Sequence, residues 1–238
     1  MARVFEKLAD SRFLVGRTQD AGSAYALARR QLRGDAVRLA AIIEKEARID
    51  HRHRRFPQAM RRITRGLRAL DGIPGPSADV ARSLLARRYA YSRFSQGRIE
   101  EAVHWAKEAR RAAETTVGTD ALAQAYEMLN AIYAGSGREE PVPYGELALG
   151  HYIELGNLPR QGHCLNNLAV QAFTAGRWNL ALSSYRRASD LFRRIGDTAA
   201  EGNALLNQAE LLVCQRRQEP NIVSMGPLPT GRPRGARQ

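Results

Sequence analysis

The chain has 238 residues, of which 44% are hydrophobic and 26% are charged, a composition typical of a folded protein and not of a disordered acidic chain. No apolar stretch approaches the roughly 20 residues that cross a bilayer, so the sequence predicts no membrane span. The formal net charge is +13, and the excess of basic residues lies mainly in residues 1–72. The densest part is an arginine cluster from Arg48 to Arg68, which could attract an acidic or phosphate-bearing partner.

Residues 1–19 predict no clear element, and we expect a poorly defined segment there. Charged side chains at positions 6, 7, 10 and 12 interrupt the stretch where a signal peptide needs an apolar run, so we expect a cytoplasmic protein. Residues 20–33 predict one amphipathic helix, with Ala24 and Ala28 on one face and Gly34 as its stop. This helix is typical of the second half of a helical hairpin whose first half is missing.

Four later stretches resemble one another, and each predicts a helix, a short turn and a second helix. They are 42–63, 85–106, 125–146 and 164–185, followed by a single first-helix pattern at 204–215. The turn residues are Arg54, Gly97, Gly137, Gly176 and Arg216, which lie 39 to 43 residues apart. A period near forty is typical of a solenoid of helical hairpins.

Small residues recur at fixed distances from each turn, where they let the two helices of a hairpin approach closely. Seven positions before the turn the residues are Ala47, Ala90, Ala169 and Ala209, with Asn130 as the exception. Five and twelve positions after it they are Ala59 and Gly66, Ala102 and Ala109, and Ala181 and Ala188. The third unit departs from this pattern, and a second helix one residue shorter would bring Ala148 into register.

In these features the chain resembles the tetratricopeptide repeat (TPR) proteins, most closely over residues 165–212. The resemblance implies an all-α, TPR-like helical-hairpin solenoid of about four repeats, whose first helices line a concave surface that binds peptide or protein segments. Residues 24–35 and 54–72 further resemble the non-catalytic C-terminal repeat region of bacterial adenylate/guanylate cyclases that also carry an ATPase domain.

The predicted solenoid covers residues 20–217, with half-repeats at both ends. Residues 218–238 are rich in Pro, Gly and Arg and predict a disordered tail. Because the last predicted helix has no second helix, we expect Leu205, Leu212 and Val213 to be exposed. We therefore expect a piece of a longer repeat protein, or self-association through the uncapped ends.

The sequence carries no motif for catalysis. It has no phosphate-binding glycine loop and no nucleophile signature, and its five histidines and two cysteines lack the spacing of a metal site. We predict no enzymatic activity, no cofactor and no metal, and we expect Cys164 and Cys214 not to pair.

The candidate binding surface consists of the positions ten, nine and six before each turn, which lie opposite the small inward-facing residue. The candidate groove residues are Arg48, Arg87, Arg88, Tyr91, Asn166, Asn167 and Asn207. Arg87 and Arg88 beside Tyr91 suit a carboxylate, because a guanidinium matches its two oxygens. Asn167 and Asn207 occupy matching positions in successive units, and their amides suit an extended peptide backbone.

The sequence favours a non-catalytic protein-protein interaction module, part of a bacterial signalling regulator, with a protein or peptide partner in the concave groove. The alternative is a regulatory fragment of a class III adenylate/guanylate cyclase whose catalytic domains are missing here. A third interpretation is nucleic-acid binding through the basic N-terminal region. Nucleic acid is the less favoured partner, because no DNA-reading motif is present and arginine is the usual basic residue throughout the chain.

Overall fold

The computed structural model of the protein describes residues 1–32, 34–116, 120–138 and 142–218, with side chains described as far as Arg216. Over these ranges the chain forms eleven helices and no strands. They are α1 (Ala2–Leu14), α2 (Thr18–Arg30), α3 (Ala36–Arg52), α4 (Phe56–Ala69), α5 (Pro76–Ser95), α6 (Ile99–Ala113), α7 (Ala121–Ser136), α8 (Tyr144–Glu154), α9 (Leu158–Thr174), α10 (Trp178–Ile195) and α11 (Thr198–Gln218). None of these helices is long and apolar enough to cross a membrane.

The first ten helices form five hairpins, and α11 packs against α10 and α9. Each second helix also contacts the first helix of the next hairpin, and the first helices α3, α5 and α7 contact one another in succession. Every hairpin therefore buries its apolar faces against its neighbours in the chain, as in a solenoid. The predicted all-α solenoid of helical hairpins is confirmed.

The N-terminal hairpin corrects the prediction for residues 1–19. Helix α1 packs against α2 through Phe5, Ala9 and Phe13, which share one helix face because they lie four residues apart. The turn after α1 is Gly16, with a φ of 81°, and the fully buried Ala9 lies seven positions before it, as in the other units. The predicted N-terminal half-repeat is therefore a complete hairpin.

The turns follow the sequence pattern in four of the five predicted places. The backbone is left-handed at Arg54, Gly97, Gly137 and Gly176, with φ between 57° and 74°. No turn forms at Arg216, because α11 continues to Gln218 through residues that favour helix. Of the predicted disordered tail, residues 219–238 lie outside the described residues.

Arg54 is the one non-glycine residue with a positive φ in the described part of the chain. Arg54→Gly is expected to raise the free energy of unfolding by about 1 kcal/mol, because the side chain strains a left-handed backbone. Gly97→Ala, at a φ of 74°, is the matched control and is expected to lower it by a similar amount. Thermal unfolding followed by circular dichroism measures both changes, and a lower Tm for Arg54→Gly would contradict this prediction.

The predicted small positions lie in the interface between the two helices of each hairpin. The fully buried residues at these positions are Ala47, Ala59, Ala90, Ala102, Ala109, Ala169, Ala181 and Ala188. The small position at Gly66 is also tightly packed, because a Cβ atom would lie 2.9 Å from Leu85 Cδ1 and 3.1 Å from Ile43 Cγ2. Glycine is favoured there by packing and not by backbone conformation.

The third unit accommodates a larger residue at the small position. Asn130 is 4% exposed on α7, and its Oδ1 has no hydrogen-bond partner among the described residues. Gly145 lies opposite on α8, where a Cβ atom would approach Asn130 Oδ1 to 3.0 Å and Leu168 Cδ2 to 2.6 Å. Ala148 is fully buried, as expected from a shorter second helix.

Helix α11 has one uncovered face in the described part of the chain. Leu205, Leu212 and Val213 are 43%, 39% and 51% exposed, which confirms the prediction for these residues. Leu165, at the position of Leu205 in the preceding unit, is 3% exposed because α10 covers it.

Candidate functional site

A polar cavity of about 390 Å³ lies between four successive first helices, α3, α5, α7 and α9. We call it the arginine groove, and its lining residues are Glu44, Arg48, Leu84, Arg87, Arg88, Gln124 and Arg160. Stacking of the hairpins places the first helices side by side, so residues about forty positions apart line one cavity.

Two carboxylates hold part of this groove in a fixed geometry. Arg88 Nε donates to Glu44 Oε1 at 3.0 Å, and Arg88 Nη2 donates to the same oxygen. Arg87 Nη2 lies 3.7 Å from that oxygen. At the other end, Arg160 Nη1 lies 3.5 Å from Glu127 Oε2, which also accepts a hydrogen bond from Tyr152 Oη at 2.9 Å.

The groove nevertheless keeps an excess of positive charge. Arg48, Arg87, Arg88 and Arg160 face the two carboxylates of Glu44 and Glu127, which leaves a net charge of +2. Burial, and then the nearby Arg88 charge, lower the pKa of Arg87 to about 10, so this side chain still carries a proton at neutral pH. Its Nε is buried and has no hydrogen-bond partner among the described residues. An unpaired buried donor beside excess positive charge favours an anionic group.

Glu44 is the central counter-charge of the groove. Burial alone would raise the pKa of its carboxyl, but the charges of Arg88 and Arg87 outweigh burial and hold the pKa below its usual 4.5. The carboxylate is therefore ionised at neutral pH and keeps two guanidinium groups in place. Its side chain is buried and so belongs to the floor of the groove and not to its open surface.

The structure brings together three of the seven predicted site residues. Arg48, Arg87 and Arg88 all line the arginine groove. The N-terminal helix α1 helps to position Arg48, because the guanidinium carbon of Arg48 lies 4.6 Å from the centre of the Phe13 ring. The helix that the sequence did not predict therefore supports a predicted site residue.

Tyr91 does not line the arginine groove. Its ring packs against His51, with the ring centres 5.0 Å apart. His51 is buried, and its Nε2 lies 2.7 Å from Ser92 Oγ. Burial, and then the charge of Arg88, lower the pKa of His51 from 6.5 to about 3, so the imidazole is neutral at physiological pH.

The three asparagines form a separate group on α9 and α11. Asn207 Nδ2 donates to Asn166 Oδ1 at 3.1 Å, while Asn167 is exposed. The sequence had matched Asn207 with Asn167, but the contacting residue is Asn166, 41 positions away and not 40. The ion pair between Glu44 and Arg88 has the same offset of one residue, since these residues are 44 positions apart and their turns are 43 apart. Side-chain contacts between successive first helices therefore join residues at the turn spacing or one residue beyond it, since Arg87, 43 positions from Glu44, lies near the same carboxylate.

Three lining residues, Leu84, Gln124 and Arg160, were missed by the sequence analysis. Leu84 and Gln124 lie 13 positions and Arg160 lies 16 positions before their turns, which places them on the predicted groove face but one and two helical turns closer to the N-terminus of the helix. Their spacing of three or six residues from the predicted position ten before the turn was a usable signal.

The described residues hold no group of histidine, cysteine and acidic side chains arranged for a metal ion. Cys164 and Cys214 are both free thiols, as predicted. Cys164 Sγ donates to the Gly145 carbonyl oxygen at 3.3 Å, and burial raises the pKa of this thiol to about 12. Cys164 is therefore an unreactive packing residue.

No protein-family model and no curated protein sequence matches the chain. Its structure is similar to the Signal Transduction ATPase with Numerous Domains (STAND) protein with a tetratricopeptide repeat sensor from Pyrococcus horikoshii, at 15% identity and a TM-score of 0.69. That match covers 89% of this chain and 32% of the other, so the chain spans about a third of the length of the Pyrococcus protein.

Two further structures match over nearly their whole length. A thermophilic TPR protein of Thermus thermophilus is 15% identical with a TM-score of 0.61, and the match covers 90% of this chain and 100% of that one. BtubC (BKLC) from P. vanneervenii is 14% identical with a TM-score of 0.57, with 96% and 98% covered. At these identities the similarity shows the fold, which is a TPR-like helical repeat.

Proposed function

We propose that this chain is a non-catalytic protein-protein interaction module that binds an acidic peptide segment of its partner in the arginine groove. The observation that carries the proposal is the groove's excess of two positive charges together with the unpaired, buried Arg87 Nε. A carboxylate supplies both the missing counter-charge and the missing hydrogen-bond acceptor.

The shape of the surface supports a peptide as the occupant. The groove crosses four first helices, so a ligand that follows it is extended and contacts several hairpins at once. The first helices α9 and α11 present the Asn166 and Asn207 pair, and amides of this kind bind main-chain groups of any sequence. Charge at one end and amides at the other suit an extended segment with an acidic portion.

A place in a bacterial signalling regulator is the finer part of this proposal. It is supported by the similarity to a STAND protein with a TPR sensor, and the alternative is the regulatory region of a class III adenylate/guanylate cyclase. Sequencing of the surrounding locus tests both. An ATPase or cyclase domain encoded in frame or next to this chain would support a regulator, and a locus without either would count against it.

Selection of binders from a displayed decapeptide library tests the groove. We expect the selected peptides to be enriched in Asp and Glu and to bind the full chain in fluorescence anisotropy. Arg87→Ala is expected to lower the affinity for the best peptide by about tenfold or more, because one charge-assisted contact is lost.

The matched control is Arg186→Ala, which removes an exposed arginine from α10, outside the groove. This variant is expected to bind the peptide as the unchanged chain does. Selected peptides without acidic enrichment, or equal affinity for Arg87→Ala and the unchanged chain, would contradict the proposal.

A further inference from the structure

A second cavity in the described residues is distinct from the arginine groove. It has a volume of about 600 Å³ and lies between α4, the second helix of its hairpin, and α5, the first helix of the next. Its polar lining includes Arg61, Thr64, Arg65 and Arg68 from α4, and Tyr89 and Arg93 from α5. A volume of this size falls in the range of small-molecule and nucleotide sites.

Three of the lining arginines are without a counter-charge. The basic stretch of the sequence divides in the structure, because Arg55 and Arg62 form ion pairs with acidic residues of α3. Arg61, Arg65 and Arg68 form no ion pair with any described residue. They share one face of α4, at spacings of four and three residues, and so span about 10 Å of helix axis.

The opposite wall of the cavity is ordered and aromatic. Arg93 Nη2 donates to Tyr89 Oη at 3.0 Å, and Arg93 Nε lies 2.9 Å from Glu101 Oε2. The Tyr89 ring packs on Trp105, with the ring centres 4.4 Å apart. Arg93 is thus held in place, and the three arginines of α4 face a fixed wall across the cavity.

This arrangement is specific to one hairpin. The three arginines lie seven, eleven and fourteen positions after the turn residue, Arg54. The corresponding residues are Ser23, Leu27 and Arg30 on α2, His104, Glu108 and Arg111 on α6, and Ser183, Arg187 and Asp190 on α10. None of these other second helices repeats the triple arginine, so the positive charge forms a local site and not a track along the solenoid.

We infer that this cavity binds a compact oligophosphate, the chemistry shared by a nucleoside triphosphate and inorganic tripolyphosphate. Each guanidinium can donate two hydrogen bonds to one phosphate, and three of them in a row suit consecutive phosphate groups. A long nucleic acid needs basic residues that continue beyond the cavity, and the neighbouring second helices α2 and α6 supply one arginine each at these positions, Arg30 and Arg111, in place of three. The inference is independent of the arginine groove, which lies on the first helices.

Isothermal titration calorimetry of the full chain with inorganic tripolyphosphate and with ATP tests the inference. We expect both to bind, more tightly at low salt than at high salt. If ATP binds more tightly than tripolyphosphate, the site recognises a nucleotide. If the two bind equally, the site recognises the phosphate groups alone. Arg65→Gln is expected to lower the affinity for both ligands by about tenfold, because one guanidinium contact is lost. The side chain is exposed, so its loss leaves the fold unchanged.

Arg111→Gln is the matched control, because Arg111 occupies the position of Arg68 on α6 but forms an ion pair with Glu108 at 2.5 Å. It is expected to leave oligophosphate affinity unchanged. Absence of binding of both ligands at about 1 mM, or equal affinity of Arg65→Gln and the unchanged chain, would overturn the inference. A single-stranded oligonucleotide that binds far more tightly than tripolyphosphate, and depends on Arg65, would overturn it in favour of nucleic acid.

Discussion

Glu44→Gln is expected to lower the free energy of unfolding by about 3 to 5 kcal/mol, the range for an ion pair broken by removal of one buried partner. Glu44 is 8% exposed and is the carboxylate that Arg88 and Arg87 share. The amide keeps the shape but removes the charge, so two largely buried guanidinium groups remain without compensation. Urea unfolding followed by circular dichroism measures the change.

The control for this prediction is Glu108→Gln, which breaks the exposed ion pair with Arg111 and is expected to cost less than about 1 kcal/mol. A double variant, Glu44→Gln with Arg88→Met, is expected to recover part of the lost stability, because one stranded charge is then removed. A loss below about 1 kcal/mol for Glu44→Gln would show that the buried network contributes little.

Acidification is expected to destabilise the protein by about 1.4 kcal/mol for each pH unit between pH 6.5 and about 3 through His51 alone. The folded state holds this imidazole neutral, since burial and Arg88 lower its pKa to about 3 despite the opposing charge of Glu44. The unfolded chain takes up the proton below pH 6.5, so falling pH favours unfolding. The stabilising contribution is complete above pH 6.5.

Glu44 adds to this acid sensitivity in a lower range. Its folded pKa lies below 4.5, so its contribution is present above that value and is lost as the pH falls through the folded pKa. Between pH 6.5 and 4.5 the His51 effect is therefore measured without it. Urea unfolding at a series of pH values measures this effect. In His51→Gln, the free energy of unfolding should change with pH by about 1.4 kcal/mol per pH unit less than in the unchanged chain within this window. An unchanged pH dependence in the variant would mean that His51 is protonated in the folded state.

The helical-hairpin fold could be predicted from sequence because its signals are local and repeated. A turn residue and an alanine seven positions before it are enough to align Ala47, Ala90 and Ala169, and all three are buried. The first hairpin carries the same signal in Ala9 and Gly16, but alternating charged residues hide the apolar stripe of α1. A period-based search extended one unit toward the N-terminus would have found it.

The candidate site was predictable only in part, because it depends on side-chain contacts between successive repeats. The pattern placed Arg87 and Arg88 on the right face, since that follows from helical periodicity. It did not indicate the burial of Glu44 or the arrival of Arg160 from two units further along. Both depend on long side chains that reach across neighbouring helices, and no single repeat encodes these contacts.

Asn130 and Gly145 restrict the order in which the third repeat can change by mutation. While the asparagine remains, a side chain at position 145 meets Asn130 Oδ1 at 3.0 Å as well as Leu168 Cδ2 at 2.6 Å. If Asn130 is first shortened to alanine, the contact with its Oδ1 is removed, and the contact with the rotatable end of Leu168 remains. The alanine-rich packing of the neighbouring hairpins is thus reached more easily when Asn130 changes before Gly145 than in the opposite order.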